Sequence, residues 1–391
     1  MPDRLNILTL NSISPLGLER FPDSRYRVGP KIESPDAILL RSFKMHDMAI
    51  PESVLAIGRA GAGTNNIPVA KMTTRGIPVF NTPGANANAV KELVLAAMLM
   101  GARNLIPAIK FAENLSGEDI SGQVEEGKKA FAGVELPGHT LGIIGLGAIG
   151  RLVADAAIRL GMKVRGYDPE ITVDAAWSLP SQVTRAHSVE DLLKGSDFVS
   201  LHIPLLDATR NLIDSKRISA MKNGAILLNF AREGIVDEDA VIEAIQSKKI
   251  KSYICDFPGE KLARREGIVA LPHLGASTRE AEDNCAIMVS NQIIDYLEDG
   301  NILNTVNFPN IDMPRESNYR IAIVNANVPN MLGQISTAFA AGGINIHNMA
   351  NKSRGEIAYT LADIDSTAPE AVIRNIASIP GVVRVRDLTA K

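Results

Sequence analysis

The sequence contains few of the residues that mark specialised classes of protein. Its 391 residues include 2 cysteines and 1 tryptophan, and aromatic residues make up only 4% of the chain. The two cysteines, Cys255 and Cys285, do not make the disulfide framework of a small secreted domain. No apolar run approaches the roughly 18 residues that a membrane-spanning helix needs, and the opening MPDRLNILTL lacks the features of a signal peptide. These absences predict a cytoplasmic protein.

An excess of charge of either sign is also absent. The chain has 41 lysine and arginine residues against 44 acidic residues, which gives a formal net charge of -3. This balance excludes bulk attraction to nucleic acid or to an anionic membrane, so any anion must be bound by local groups. We expect no metal site. The length, with 46% hydrophobic residues, suits about two or three globular domains.

Apolar runs alternate with helical patterns along most of the chain. LNILTL, AILLRS and SVLAIG begin one series, and TLGIIGLGAIG begins another, which predicts an α/β protein with two doubly wound parallel sheets. Between the series, ANAVKELVLAAMLMGAR predicts a buried helix. Scattered prolines after Asn301 predict a linker that ends near Ser317. The remaining tail reads βαββαβ, the ferredoxin-like order, and suits ligand binding or pairing better than catalysis.

A glycine-rich turn follows the apolar run LGII. Gly145, Gly147 and Gly150 form G-L-G-A-I-G ahead of a helix predicted to begin at Arg151, and Asp168 closes the next strand. Such glycines permit a tight turn and close approach to a pyrophosphate, while the acid accepts hydrogen bonds from the ribose hydroxyls. The negative charge of Asp168 disfavours the extra phosphate of NADP. The pattern predicts an NAD site.

Three polar residues stand at or just beyond the ends of predicted strands of the second series. They are Arg232 after AILLNFA, Glu260 past SYICDF, and His273 after IVALP. Arginine holds a carboxylate with two parallel hydrogen bonds, histidine takes a hydroxyl proton near neutral pH, and a glutamate orients the histidine. Together they predict oxidation of a 2-hydroxy acid. Taken singly, each has a structural alternative, as a satisfied core histidine or as a solvated surface charge.

The chain resembles the D-2-hydroxyacid dehydrogenases over nearly its whole length. The stretches that carry the resemblance include GRAGAGTNNI, IPVFNTPGANANAVKEL, TLGIIGLGAIGR, HIPLLDATRNLI, NFAREGIVDE and PHLGASTREA. The chain is most similar to members that act on 3-phosphoglycerate and end in an ACT domain. The resemblance implies four parts: a flavodoxin-like substrate-binding domain (1–92 and 277–302), an inserted Rossmann NAD-binding domain (93–276), a linker (303–317) and an ACT regulatory domain (318–391).

The resemblance also implies site residues. It implies that Arg232, Glu260 and His273 are catalytic, and that the cofactor contacts, beyond the three glycines and Asp168, are Ala148, Ile149, Ile203, Phe230, Ala231, Asp256, Gly275, Ala276 and Thr82. Two departures stand out. The stretch DFPGEK is one residue shorter than the family's D-V-F-x-x-E-P, so the assignment of Glu260 assumes a gap, and Ala148 stands where arginine is usual.

Positively charged residues in the first series bear on which substrate is bound. Arg41 and Ser42 end AILLRS, and Arg59 is followed by Ala60 and Gly61 of a glycine-rich stretch. These groups suit a phosphate, although two solvated surface arginines are the plain alternative. The resemblance places phosphate contacts at both arginines. It implies oxidation of 3-phosphoglycerate, the first step of L-serine synthesis.

The tail and the family leave further alternatives open. Asn327 and Asn345 match positions that bind L-serine between paired ACT domains in some relatives, whereas a dimerising module without a ligand is the other interpretation. The resemblance implies a homodimer or homotetramer. The alternatives for function are a hydroxypyruvate or glyoxylate reductase of the same family and, in a different class, an NAD-sensing scaffold protein.

Overall fold

The computed structural model describes residues 4–389, which divide into two compact units. One unit combines the residues up to Asn86 with those from Arg279 onward, and the other is Ala87–Thr278. One unit is therefore discontinuous in sequence, and the other is a single insertion.

The residues up to Asn86 form a parallel sheet. Its elements are β1 (Leu5–Leu10), α1 (Pro15–Leu18), β2 (Tyr26–Gly29), β3 (Ala37–Leu40), β4 (Ala56–Arg59), α2 (Val69–Thr74) and β5 (Val79–Phe80). The strand order is β2-β1-β3-β4-β5, the flavodoxin-like order. All four residues of β3, AILL, are buried, because a central parallel strand is covered on both faces.

The inserted unit holds a larger parallel sheet. Its elements are α3 (Ala87–Ala102), α4 (Leu105–Glu113), α5 (Ile120–Gly127), β6 (Thr140–Ile144), α6 (Ala148–Arg159), β7 (Lys163–Tyr167), α7 (Val173–Trp177), β8 (Thr184–Arg185), α8 (Val189–Gly195), β9 (Phe198–Leu201), α9 (Ser215–Ala220), β10 (Ala225–Asn229), α10 (Glu238–Gln246), β11 (Ile250–Cys255) and β12 (Ile268–Ala270), with short 3-10 helices at Lys128–Phe131, Asp207–Thr209 and Glu260–Leu262. The strand order is β12-β11-β10-β9-β6-β7-β8, which contains the Rossmann arrangement around a switch point between β6 and β9.

Helix α3 matches the predicted buried helix. Val94, Ala97 and Met98 are fully buried, and Gly101 lies against Ile226 of β10. Among residues 4–389, no single helix has the length and apolar composition to cross a membrane; α3 and α4 meet that test only as a pair, with a 67° bend between them.

From Arg279 onward the chain returns to the first unit and ends in an antiparallel sheet. The elements are α11 (Arg279–Asp299), β13 (Tyr319–Ala326), α12 (Met331–Ala341), β14 (Ile346–Arg354), β15 (Ile357–Ile364), α13 (Glu370–Ala377) and β16 (Val382–Asp387). The strand order β14-β15-β13-β16 is that of a ferredoxin-like βαββαβ unit. The predicted fold class, two parallel sheets and a small antiparallel one, is confirmed.

The two central strands of the terminal sheet, β13 and β15, are buried on both faces. Along β13, Ile321 and Ile323 pack with α12 and α13, while Ala322 and Val324 join a core shared with α11. This alternation follows the two-residue period of a strand. The segment 303–317, predicted to be a linker, contributes buried side chains, among them Phe308, to the shared core. The tail is therefore built onto the rest of its unit through an apolar interface.

Candidate active site

The glycine-rich turn after β6 leaves its outer side open. Gly145 has a φ of +95°, a left-handed conformation that favours glycine, and its N–H donates to the Tyr167 carbonyl over 2.9 Å. A Cβ on Gly150 would clash with the Gly145 carbonyl, so the third glycine lets α6 approach the turn. A Cβ on Gly147 would meet nothing within 4 Å. Open space at the positive end of a helix suits a pyrophosphate.

Asp168 holds this turn in place. It follows β7, and one carboxylate oxygen accepts the Leu146 N–H over 2.8 Å while the other accepts the Glu170 N–H over 3.0 Å. The side chain is half-buried. Asp168 thus orders the glycine-rich turn and places a carboxylate beside it.

The other predicted cofactor residues of this unit gather at one edge of its sheet. Each follows a parallel strand at its carboxyl end or begins α6, and they are Ala148, Ile149, Ile203, Phe230, Ala231, Asp256, Gly275 and Ala276. Ligands of doubly wound sheets bind at that edge. The glycine-rich turn, the open space above it and this edge fit a dinucleotide.

Asp256 positions the loop that carries His273. Its carboxylate, 2% exposed, accepts the backbone N–H groups of Leu274 over 2.6 Å and Gly275 over 2.8 Å. Its own carbonyl accepts the His273 N–H over 3.1 Å. Burial raises the pKa of Asp256, and the two N–H donors oppose that effect. His273 has a φ of +57°, so a left-handed turn directs its exposed ring.

Phe257 lies between the two predicted catalytic groups. Its ring centroid is 4.4 Å from that of His273, and the Arg232 guanidinium carbon is 5.4 Å from the Phe257 centroid. The second distance falls within the range of a cation–π contact. Arg232 also donates from Nη1 to the Ala231 carbonyl over 2.6 Å. A cation and a histidine from two different strand ends are thus brought to one aromatic ring.

The structure does not bring Glu260 into hydrogen-bond contact with His273. Glu260 begins a 3-10 turn and is exposed, and within residues 4–389 its carboxylate makes no hydrogen bond or ion pair. A different acid holds this loop: Glu238, the first residue of α10, accepts the Gly259 N–H over 2.9 Å. The shortened DFPGEK stretch is therefore tied down one residue before Glu260.

In the other unit, the two predicted phosphate arginines are neighbours. Arg59, the last residue of β4, donates from Nε to the Arg41 carbonyl over 3.1 Å. Its Nη1 lies against Gly61, where a Cβ would come within 2.6 Å of it. Arg41 pairs with Glu282 of α11, with Nη2 2.7 Å from Oε1. The structure thus gathers Arg59 and the glycine-rich stretch, and gives Arg41 a carboxylate partner.

The remaining predicted residues of this unit frame the same stretch. Ala60 is 7% exposed and packs in the core, while Ser42 is exposed. Thr82, predicted to contact the cofactor, is fully buried and donates its N–H to the Gly61 carbonyl over 3.1 Å. In this structure Thr82 supports the glycine-rich stretch from beneath.

Comparison with known proteins decides the family. Residues 95–276 match the family described as D-isomer specific 2-hydroxyacid dehydrogenase, NAD binding domain. The D-3-phosphoglycerate dehydrogenase of Haemophilus influenzae is 32% identical over 350 residues, which cover 86% of this chain and 81% of that protein. The chain belongs to the D-isomer specific 2-hydroxyacid dehydrogenases. The predicted enzyme class and the predicted cofactor, NAD, are confirmed.

Solved structures of the dehydrogenase family agree with this fold. The NAD+-bound 3-phosphoglycerate dehydrogenase of Entamoeba histolytica is 27% identical with a TM-score of 0.60, and the match covers 78% of this chain and 99% of that one. A glyoxylate reductase from Paecilomyes thermophila is 26% identical with a TM-score of 0.64 over 78% and 99% of the two chains. The names of these two relatives correspond to two of the functions considered from the sequence, oxidation of 3-phosphoglycerate and reduction of glyoxylate.

The two predicted effector residues of this dehydrogenase lie at opposite ends of the terminal sheet. Asn327 follows β13 and donates from Nδ2 to the Gly355 carbonyl over 3.1 Å. Asn345 precedes β14, and its backbone N–H donates to Asp365 over 3.2 Å, beyond the far end of β15. One chain therefore does not place both side chains on one ligand.

The sequence did not point to Phe257, which contacts both predicted catalytic side chains, or to Glu238, which holds the loop before Glu260. Phe257 directly follows Asp256 at a strand end, so its position alone placed it at the ligand-binding edge. Glu238 gave a weaker signal, because an acid at the start of a helix is explained by the helix dipole. Its contact with Gly259 depends on a loop of unusual length.

Proposed function

We propose that this chain oxidises 3-phospho-D-glycerate to 3-phosphohydroxypyruvate with NAD, the first step of L-serine biosynthesis. The observation that carries the proposal is the convergence of Arg232 and His273 on Phe257, which supplies a carboxylate clamp and a base side by side. Similarity to a named D-3-phosphoglycerate dehydrogenase over most of both chains supports the substrate.

The reaction assigns a distinct task to each side chain. Bound NAD supplies the acceptor for the hydride that leaves C2 with the electrons of the C–H bond. Arg232 holds the substrate carboxylate through its planar fork. His273 takes the proton of the C2 hydroxyl as the C2–O bond becomes a carbonyl, and returns it when the reaction runs in reverse. Hydride and proton together account for both hydrogens that the alcohol loses.

Three neighbours position these groups in the proposed mechanism. Asp256 fixes the His273 turn through backbone N–H groups, and Phe257 restricts both the imidazole and the guanidinium. Glu260 is the proposed acid partner of His273, and its carboxylate has no competing hydrogen bond among the described residues. The task of the loop held by Glu238 is then to bring that carboxylate to the imidazole.

The arginine pair at the first sheet carries the proposed preference for a phosphorylated acid. Arg59→Gln is expected to lower kcat/KM for 3-phosphohydroxypyruvate about 10- to 100-fold, the loss of one or two charge-assisted hydrogen bonds. The same change should leave kcat/KM for hydroxypyruvate nearly unaltered, because that acid has no phosphate. Steady-state NADH consumption with both acids measures the ratio. Arg27→Gln, an exposed arginine of β2, is the matched control; equal losses for both acids would contradict the assignment.

A second candidate function is reduction of an unphosphorylated 2-oxo acid. The pairing of Arg41 with Glu282 favours it, because a carboxylate at 2.7 Å occupies part of the charge that a phosphate would use. The likeness to a glyoxylate reductase points the same way. Only the choice of acid separates this candidate from the first.

For regulation, we propose that L-serine binds between two copies of the terminal domain. Since Asn327 and Asn345 lie at opposite ends of one sheet, two sheets running in opposite directions would bring one residue from each copy together. Isothermal titration should then detect L-serine, and Asn345→Ala should weaken that binding at least about tenfold, with the exposed Asn375→Ala as control. Absence of heat would leave the terminal domain without this effector.

We also propose that the chain associates with a second copy of itself. Helix α4 has no fully buried residue within the described chain, and Ile109 is 51% exposed. Ile120 and Val124 of the neighbouring α5 are exposed as well. An apolar surface of this kind favours a partner, and we propose a second copy of this chain in the cytoplasm, where Cys255 and Cys285 stay reduced.

A further inference from the structure

A polar cleft of about 720 Å³ opens in the first unit, and none of the residues proposed to hold the substrate phosphate lines it. It is lined by the segment from Asn304 to Asn310, by the end of β14 from Asn351 to Arg354, and by Asn81. Its volume lies in the range of sites that hold small metabolites. The proposed reaction assigns nothing to this cleft.

The charge of the cleft is positive. Lys352 and Arg354 line it, and among the described residues no aspartate or glutamate does. Arg354 donates from Nη1 to the Thr305 carbonyl over 2.8 Å, which fixes the guanidinium at the wall and leaves its other N–H groups for a ligand. The Lys352 ammonium makes no ion pair within residues 4–389. Two cations without a carboxylate suit a multivalent oxyanion.

The cleft residue Asn81 is bonded to the stretch that follows Arg59. Asn81 donates its backbone N–H to the Asn304 carbonyl over 3.0 Å and its Nδ2 to the Ala62 carbonyl over 2.6 Å. The next residue, Thr82, donates to the Gly61 carbonyl over 3.1 Å. One asparagine therefore links the cleft residue Asn304 to the backbone that follows Arg59.

We propose that this cleft binds a small multivalent oxyanion, a di- or tricarboxylate or a phosphate, through Lys352 and Arg354. Occupancy changes the position of the Gly61–Ala62 backbone and so alters the affinity for the phosphorylated substrate. The binding rests on the cleft alone, whereas the effect on activity rests on the proposed function.

Binding is tested by isothermal titration of the full-length chain with citrate and, separately, inorganic phosphate at constant ionic strength. Lys352→Glu is expected to weaken binding of the probe at least about tenfold, because one charge-assisted contact is lost. Lys31→Glu, an exposed lysine of the same unit, controls for net charge and should leave the affinity unchanged. Titrations repeated with Arg59→Gln, which removes an arginine of the proposed substrate phosphate site, should give the same affinity and so separate the cleft from that site. No heat with either probe, or equal weakening by both substitutions, would overturn the site.

Coupling is tested by activity with and without the bound probe. In the unsubstituted chain, the probe should change KM for 3-phosphoglycerate about fivefold, and in Lys352→Glu it should not. Binding without a change in KM would refute the coupling while the site stands. If the chain oxidises no 2-hydroxy acid, the proposed function fails, and the titration still decides the cleft independently.

Discussion

Replacement of His273 by alanine is expected to lower kcat about 100-fold or more, because no other group accepts the hydroxyl proton in the proposed mechanism. The imidazole is exposed and contacts Phe257 without any hydrogen bond within the described residues, so its removal costs little packing. Steady-state oxidation of 3-phosphoglycerate gives the measurement. KM should change far less than kcat, since the proposed carboxylate clamp, Arg232, is unchanged.

Two further variants make the His273 result specific. His273 has a φ of +57°, and asparagine tolerates this conformation better than alanine, so His273→Asn removes the base while preserving the turn. His187→Ala removes an exposed histidine of the same unit and should leave kcat near normal. Near-normal turnover of both His273 variants would assign the base to another residue.

Truncation of Asp363 is expected to lower the free energy of unfolding of its unit by about 3–5 kcal/mol, the cost of leaving a buried cation unpaired. Asp363 and Arg320 are both 0% exposed, with Nε 2.6 Å from Oδ1 and Nη2 2.9 Å from Oδ2. The same guanidinium donates to the carbonyls of Asp299, Met313 and Pro314. The pair thus joins β13 and β15 to the end of α11.

Urea unfolding of Asp363→Ala, monitored with a spectroscopic probe in the terminal sheet, measures the decrease in the free energy of unfolding. The exposed pair of Glu370 and Arg374 gives the control, because Glu370→Ala should cost less than about 1 kcal/mol. The double variant Arg320→Met with Asp363→Leu should recover most of the stability, since it leaves no buried charge. A loss for Asp363→Ala as small as that for Glu370→Ala would contradict the account.

The pH dependence of this effect has a definite sign. Burial acts to raise the pKa of Asp363, but the hydrogen bonds and charge of Arg320 outweigh it, so the pKa is lowered in the folded state. A lowered folded pKa stabilises the protein above the unfolded pKa of about 3.9, and the gain is lost as pH falls through the folded value. The difference between the original chain and Asp363→Ala should therefore narrow below about pH 4.

The glycine-rich turn shows how far local pattern reaches. Gly145 adopts a left-handed φ, and Gly150 lies against the Gly145 carbonyl five residues earlier, so strand, turn and helix were predictable together. Only the predicted start of the helix was wrong: α6 begins at Ala148, three residues before the predicted start at Arg151. The positions of Arg232 and His273 could also be predicted from the sequence, since parallel strands present their carboxyl ends at one edge of the sheet.

The contacts that depend on loop conformation were not predictable. Phe257 meets His273 because that residue occupies a left-handed turn held by a buried carboxylate, and no periodicity encodes such a turn. The segment 303–317 has the prolines and irregular pattern of a linker, yet Phe308 and Met313 are buried because the terminal sheet covers them. Burial of this kind depends on a partner surface distant in sequence.

We propose that this dehydrogenase acts on a phosphorylated 2-hydroxy acid. The most direct test follows NADH loss with 3-phosphohydroxypyruvate beside hydroxypyruvate and glyoxylate, because the first two acids differ only in the phosphate. We expect a kcat/KM at least about 100-fold higher for the phosphorylated acid, because Arg41 and Arg59 would add two charge-assisted contacts. Equal or better use of hydroxypyruvate or glyoxylate would contradict it and make the chain a reductase of unphosphorylated acids.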